Sequence, residues 1–291
     1  MGELTRRSWL QAAPALLAGG AAMAQPGAEL TARQAIERIR KNVGVPWRSQ
    51  TVDTFKAGNP DAPVKGIATT VMATFDVLQR AARSGQNLVI THEPTFYNHE
   101  DDTKDFAGDP VYAAKHAFIE KNNMVVWRFH DHWHARRPDG ILTGMLEILG
   151  WEKFQDSGNP RVLVLPSTPL ASLARDMQKR LKVRTMRVIG DPAMPVSKVA
   201  LNPGYASLQG ATRTLARPEV EVLVVGELRE WEGVEYAQDA IALGMKKALI
   251  VLGHAISEEN GMSECARWLK TFVTEVPVEF VPAGEPFWPV A

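Results

Sequence analysis

Apolar residues along the chain alternate between two patterns, one typical of strands and one typical of helices. Short aliphatic runs are separated by segments in which apolar residues recur every three or four positions. The runs predict strands at 65–73, 88–91, 124–129, 161–165, 184–189, 198–201, 221–225, 248–252 and 278–281. The segments between them predict helices at 29–41, 74–83, 110–122, 138–149, 170–181, 206–216, 234–243 and 258–272. This alternation predicts βαβ units, mostly parallel sheets and a three-layer α/β/α fold.

One loop divides the alternation into two sets. Gly158, Asn159 and Pro160 interrupt both periodicities between complete β/α sets. We therefore expect two interlinked α/β domains, 25–157 and 158–253, with the segment 254–291 returning to the first domain.

The N-terminus carries an export pattern. The pair Arg6-Arg7 precedes an apolar run from Ala12 to Ala24, which ends in the cleavage-like Ala22-Met23-Ala24. The run is too short to span a bilayer, because a spanning helix needs about 20 apolar residues. Residues 1–24 are predicted to be a twin-arginine signal peptide, and the protein is expected to be periplasmic or secreted, with no membrane association after signal removal.

Charge and cysteine content argue against several classes of protein, among them nucleic-acid binders, polybasic membrane anchors and disulfide-linked proteins. The chain has 33 basic and 33 acidic residues, so it lacks the positive field with which nucleic-acid binders and polybasic membrane anchors attract their partners. Its one cysteine, Cys265, lies on a helical pattern and is predicted to be a buried core residue.

Histidines cluster directly after predicted strands. Strand 88–91 is followed by His92-Glu93, strand 124–129 leads into the segment 130–134 with its three histidines, and strand 248–252 is followed by His254. Glu258 lies four residues after His254, so the two can share one face of a helix. Functional groups of open α/β sheets gather at the carboxyl ends of strands, which makes these segments the main indication of function.

These residues form a candidate ligand set for metal ions. Imidazoles and carboxylates without thiolates suit Zn, Mn or Fe, and two bridging carboxylates would allow two divalent ions. The predicted ligands are His92, Glu93, His134, His254 and Glu258. His130 and His132 are candidates for a general acid or base, with hydrogen bonding to a ligand carboxylate as the alternative role.

Two blocks resemble a known family, the Nif-three-like dinuclear metal centre proteins, also named GTP cyclohydrolase I type 2 homologues. Residues 64–68 and 87–94 resemble the first block, which ends in a strand, two histidines and a proline. Gly226-Glu227-Leu228 and Gly253-His254-Ala255-Ile256-Ser257-Glu258 resemble the last block, which ends in Gly-His-x-x-x-Glu. The resemblance implies dinuclear metal sites that face the central cavity of a homohexamer.

The departures from the family pattern compensate each other. Glu93 stands where the family has a second histidine, and His134 stands where the family has a metal-binding aspartate. Three histidines with one aspartate and one glutamate thus become three histidines with two glutamates. Met72 replaces an acidic residue of the family, and Arg229-Glu230-Trp231-Glu232 replaces a histidine-rich stretch, so the pocket is expected to differ.

The first functional hypothesis is an exported metal-dependent hydrolase that uses a metal-bound hydroxide on an unknown small molecule. The alternatives are a non-catalytic metal-binding or scaffold oligomer and a binding module that has lost its metals. A catalytic site keeps an open coordination position and a structural site does not, which distinguishes the hydrolase from the non-catalytic oligomer. GTP ring opening is disfavoured, because GTP is not expected outside the cytoplasm and no Gly-x-x-x-x-Gly-Lys-Ser/Thr loop is present in the sequence.

Overall fold

The computed structural model describes residues 29–290. The predicted signal peptide, residues 1–24, lies outside this part of the chain. The strands are β1 (Phe55–Ala57), β2 (Ile67–Thr70), β3 (Leu88–Thr91), β4 (Val125–Arg128), β5 (Val162–Pro169), β6 (Arg187–Ile189), β7 (Pro195–Tyr205), β8 (Val222–Glu227), β9 (Ala248–Val251) and β10 (Val278–Phe280). The α-helices are α1 (Ala32–Asn42), α2 (Phe75–Arg83), α3 (Pro110–Lys121), α4 (Asp131–Ala135), α5 (Gly140–Leu149), α6 (Leu170–Leu181), α7 (Leu208–Leu215), α8 (Glu235–Ala242) and α9 (His254–Leu269).

The strands form two five-stranded sheets. The first has the order β1-β4-β3-β2-β10 and the second the order β5-β7-β8-β9-β6. Central neighbours are parallel in both sheets, as predicted, whereas β1, β5 and β6 pair antiparallel at the edges. Residues 158–160, the predicted domain boundary, lie in the loop before β5, and β10 joins the first sheet beside β2.

Helices cover both faces of each sheet. In the first sheet, α1 and α9 pack on one face and α2 and α3 on the other. In the second sheet, α5 and α6 pack on one face, and α7 and α8 pack on the other. The predicted three-layer α/β/α architecture is confirmed. Helix α9 contributes Cys265 to the core of the first sheet and Ile256 to that of the second, so it packs against both.

Local signals explain most helix ends. Thr74 caps α2 by accepting a hydrogen bond from the backbone of Val77, and Gly150 ends α5 in the left-handed region. Helix α9 begins at His254, four residues earlier than predicted, after Gly253 has turned the chain with φ 94°. This earlier start places His254 and Glu258 on consecutive turns of one helix.

Helices α5 and α9 approach each other closely through glycines. A Cβ atom added at Gly144 would lie 2.2 Å from the carbonyl oxygen of Asn260, and one added at Gly261 would lie 2.5 Å from the Cα atom of Ile141. This contact fixes α9 between the two sheets. Within residues 29–290, none of the helices has both the length and the apolar character that crossing a membrane requires.

Candidate metal centre

Strand ends from both sheets bring six side chains to one point. Register pairs Thr70 with Thr91 and Thr91 with Arg128, so the chain leaves β3 and β4 at the same sheet edge. His92 and Glu93 follow β3, whereas His130 and then His134 on α4 follow β4. The second sheet supplies α9, whose first turns carry His254 and Glu258.

The nitrogen and oxygen atoms of these six side chains that could bind a metal face one another. Nε2 of His254 lies 3.2 Å from Oε1 of Glu93 and 3.2 Å from Oε2 of Glu258. Nε2 of His92 lies 3.7 Å from Oε2 of Glu258. Nε2 of His130 lies 3.8 Å from Oε1 of Glu93, and Nε2 of His134 lies 3.9 Å from Oε1 of Glu258. Four imidazoles and two carboxylates therefore converge.

The four imidazoles are oriented in the same way. Each has its Nδ1 atom beside an oxygen acceptor, so Nδ1 carries the hydrogen and Nε2 faces the group. The acceptors are Phe129 O at 3.0 Å from His92, Asp131 Oδ1 at 3.0 Å from His130, Asp139 Oδ2 at 3.2 Å from His134 and Glu227 Oε1 at 3.0 Å from His254. An imidazole whose Nδ1 is held by an oxygen and whose Nε2 is directed at neighbouring carboxylates and imidazoles is typical of metal ligands.

Two potential metal-ligand atoms at the base of the group have no hydrogen-bond partner. Nε2 of His92 and Oε2 of Glu258 are buried and unsatisfied within residues 29–290. Buried polar atoms without partners are costly, so such a pair calls for an explanation. Donor atoms of His92, His130 and His134 lie within 4.8 Å of one another, as do those of His92, Glu93 and Glu258. The residues present therefore fit divalent metal ions.

The electrostatics suit cation binding. Burial lowers the pKa of His92 and of His130, which keeps both imidazoles in the neutral form that binds metals. Burial opposes the charge of Glu93, but the hydrogen bond from His254 and the charge interactions with His92, His254 and His130 together outweigh it and hold the pKa of that carboxyl well below its usual range. Buried Arg128 lies 3.5 Å from the other oxygen of Glu93 and supports this negative charge.

Gly204, at the end of β7, allows the second sheet to approach the group. A Cβ atom at this position would lie 2.3 Å from Oε1 of Glu258 and 3.5 Å from Nε2 of His254. The backbone N–H of Gly204 donates to Oγ of Ser257, at 2.8 Å. Its φ of 75° also disfavours other residues. The carboxylate of Glu258 occupies the space that a side chain at position 204 would need.

The group opens on one side into a cavity of about 380 Å³. His92 and Glu258 form the closed base, with side chains 0% and 3% exposed, whereas the side chain of His134 is 25% exposed. The polar residues His99, Arg161, Asn202 and Tyr205 line the open side. A small molecule entering this cavity would meet the donor atoms directly.

The structure separates the two histidines that the sequence offered as acid or base. His130 joins the predicted ligands His92, Glu93, His134, His254 and Glu258, and it belongs to one of the two possible ligand groups. His132 lies outside the group. Its ring is buried against Trp47 at a centroid distance of 3.6 Å, its Nδ1 lies 2.6 Å from Asp53, and its Nε2 accepts the N–H of Arg48.

Sequence reasoning missed the residues that orient the imidazoles. Asp131, Asp139 and Glu227 hold three of the Nδ1 atoms. Glu227 ends β8, so the strand-end position that drew attention to His92 could also have identified it. Asp139 carried only a helix-capping signal, because its contact with His134 depends on the turn that joins α4 to α5.

The profile of the DUF34/NIF3 (NGG1p interacting factor 3) family matches residues 42–286. The chain belongs to the DUF34/NIF3 family. The family predicted from the sequence blocks is therefore confirmed. A curated relative, the GTP cyclohydrolase 1 type 2 homolog of Clostridium acetobutylicum, is 25% identical to this NIF3-family chain over 155 residues. That match covers 50% of the chain and 56% of the relative, so it spans only about half of the relative's length.

Solved structures share the fold. A Bacillus cereus protein related to NIF3 superposes with a TM-score of 0.71 at 14% identity, over 90% of this NIF3-family chain and 99% of the other. Staphylococcus aureus protein SA1388 superposes with a TM-score of 0.70 at 14% identity, again over 90% and 99%. At these identities the likeness establishes the α/β architecture, and the chemistry must be argued from this chain's own residues.

Proposed function

We propose that the protein binds two divalent metal ions and acts as a metal-dependent hydrolase of a small molecule. The observation that carries the proposal is the common orientation of four imidazoles, each held at Nδ1 and each directing Nε2 toward two buried carboxylates. Six donors match two ions with three protein ligands each, the arrangement in which catalytic zinc sites keep a position open. Ions held there would supply Lewis acidity and activate water for attack on an electrophilic carbon or phosphorus.

The six ligands would be His92, Glu93, His130, His134, His254 and Glu258. This set adds His130 to the five residues predicted from sequence. Assigning His130 to a metal removes it as a free acid or base, because its Nδ1 is already occupied by Asp131. His99, whose ring centroid lies 5.9 Å from that of His130, is the remaining imidazole on the open side of the cavity.

The residues of the open side support substrate binding. Nη2 of Arg161 lies 2.8 Å from Oδ2 of Asp139, and its Nη1 lies 3.4 Å from the side-chain oxygen of Asn202. These contacts fix the guanidinium at the cavity wall, where its remaining donors can bind an oxygen of a substrate. Tyr205, 45% exposed, adds an aromatic wall on the same side.

The experiment is a hydrolysis screen on protein stripped with chelator and reloaded with Zn, Mn or Fe. Phosphoester, amide and cyclic-imine substrates, with GTP included because of the name of the curated relative, cover carbon and phosphorus centres. Turnover that needs metal, is lost in Glu258→Gln and survives in His116→Ala supports the proposal. His116 lies on α3, outside the group, and is the matched control. Metal binding without turnover of any substrate would instead favour the non-catalytic scaffold.

A further inference from the structure

A second cavity, of about 700 Å³, lies beside the metal centre. Its volume falls within the range of roughly 300–1,000 Å³ that is usual for small-molecule sites. Most of its lining is apolar, with side chains from both sheets and from the C-terminal segment, including Met72, Val251, Leu252, Ile256, Phe287 and Trp288. No step of the proposed hydrolysis uses this cavity.

His254 separates the two cavities. Glu93 and Glu258, which face its Nε2 atom, line the smaller cavity. Glu227, which accepts a hydrogen bond from its Nδ1 atom, lines the larger one. A ligand in the larger cavity would therefore touch the Nδ1 side of the His254 imidazole and its carboxylate support, on the side opposite Glu93 and Glu258.

The C-terminal segment that carries two aromatic residues of the cavity is anchored through its backbone and through Glu285, although it lies on no helix or strand. The carboxylate of Glu285 accepts the backbone N–H of Arg184 at 2.7 Å and that of Thr185 at 2.8 Å. Arg184 in turn donates to the carbonyl oxygen of Phe287 at 2.8 Å. Phe287 and Trp288 are nonetheless 65% and 70% exposed. Anchored aromatic residues that stay exposed beside an apolar cavity indicate a binding site.

The hydrogen-bonding groups around the cavity favour an N–H-donating ligand. Arg187 is already paired with Glu230, at 2.8 Å, and Glu285 is satisfied at both oxygens by residues 184 and 185. Oε2 of Glu227 takes part in no hydrogen bond within residues 29–290, whereas Oε1 is bound to His254. Aromatic faces also attract cations.

We propose that this cavity binds a ring-containing organic amine, with the ring against Phe287 and Trp288 and the amine at Oε2 of Glu227. Such a site adds a second small-molecule function to the chain. It does not depend on the hydrolase activity, because none of its contacts involves a metal.

The test is displacement of the neutral dye N-phenyl-1-naphthylamine by two competitors that share a ring and differ in charge, 1-naphthylmethylamine and 1-naphthylacetate. The whole protein is used, as purified from its own host. We expect the amine to bind at least about tenfold more tightly than the carboxylate, and Glu227→Gln to abolish this preference. Trp288→Ala is expected to weaken both competitors about tenfold. Trp231→Ala, which removes an equally exposed tryptophan outside the cavity, is expected to change neither.

Three results would overturn the proposal: no dye binding by the wild type, dye binding that Trp288→Ala leaves unchanged, or equal affinity for amine and carboxylate. Glu258→Gln distinguishes this site from the metal centre. That variant is expected to lose metal and to keep amine binding. If it loses amine binding as well, the cavity is not a separate site.

Discussion

At the scale of single residues, the metal centre depends on the carboxylates that accept hydrogen bonds from Nδ1 of the imidazoles. Asp139 lies 3.2 Å from Nδ1 of His134 and 2.8 Å from Arg161, and its other oxygen caps α5. Asp139→Asn keeps the cap and removes the charge, so we expect metal affinity to fall about 10–100-fold with the fold retained. Competition with a chromogenic chelator measures this. Asp109→Asn, at the cap of α3, is the control and should bind metal normally.

A second residue-scale prediction concerns pH. Burial opposes the imidazolium of His254, but the hydrogen bonds to Glu227 and Glu93 and the negative charge of Glu258 outweigh it and raise the pKa of His254 to about 12. The metal-free protein therefore keeps this stabilising charge throughout the neutral range, and loses it only as pH rises toward that value. A metal must displace the proton, so metal affinity should rise at least about tenfold per pH unit between pH 6 and 8. Affinity that does not change with pH would contradict this account.

At the scale of elements, the close contact of α5 with α9 positions two ligands. The Cβ atom of Gly144→Ala would lie 2.2 Å from the backbone oxygen of Asn260, so the helices must separate. We expect a loss of about 1–3 kcal/mol in the free energy of unfolding and weaker metal binding, because α9 carries His254 and Glu258. Urea unfolding measures the loss. Gly210→Ala on α7, where the nearest other atom is the flexible Ser207 hydroxyl at 3.3 Å, should change stability less.

Element-scale prediction from the sequence succeeded where the signal was local. Helix α6 has the predicted bounds, and β3 ends where predicted, at Thr91, because the apolar patterns lie within the segments themselves. Helix α4 was missed, since five residues are too few to show a helical period. The antiparallel edge strands depend on pairing partners distant in sequence, as in the register of β6 with β9.

The same division holds for the candidate site. Strand-end positions predicted His92 and Glu93, and the four-residue spacing after His254 predicted Glu258, three residues that the structure brings together. The role of Gly204 could not be predicted, because it depends on the distance between the end of β7 and a carboxylate on α9. That His132 lies outside the metal centre likewise could not be predicted, because it depends on a contact with Asp53, which is 79 residues away along the chain.

At the scale of the whole molecule, export and assembly remain predictions. We propose that residues 1–24 direct export by the twin-arginine route and that the chain forms a homohexamer, as the family resemblance implies. The double variant Arg6→Lys, Arg7→Lys should retain the protein in the cytoplasm, because that route reads the arginine pair. Fractionation of host cells, with Arg33→Lys beyond the signal as control, measures this. Equal export of the double variant would contradict the prediction.

The central claim, that both sheets jointly hold two metal ions, is tested most directly by metal content. The protein is purified from its own host without chelator, and metals are counted per chain by plasma mass spectrometry. We predict roughly two ions in the wild type and in His116→Ala, and a loss in His254→Ala and in Glu258→Gln. A wild type without stoichiometric metal, or variants that retain the full content, would contradict the account.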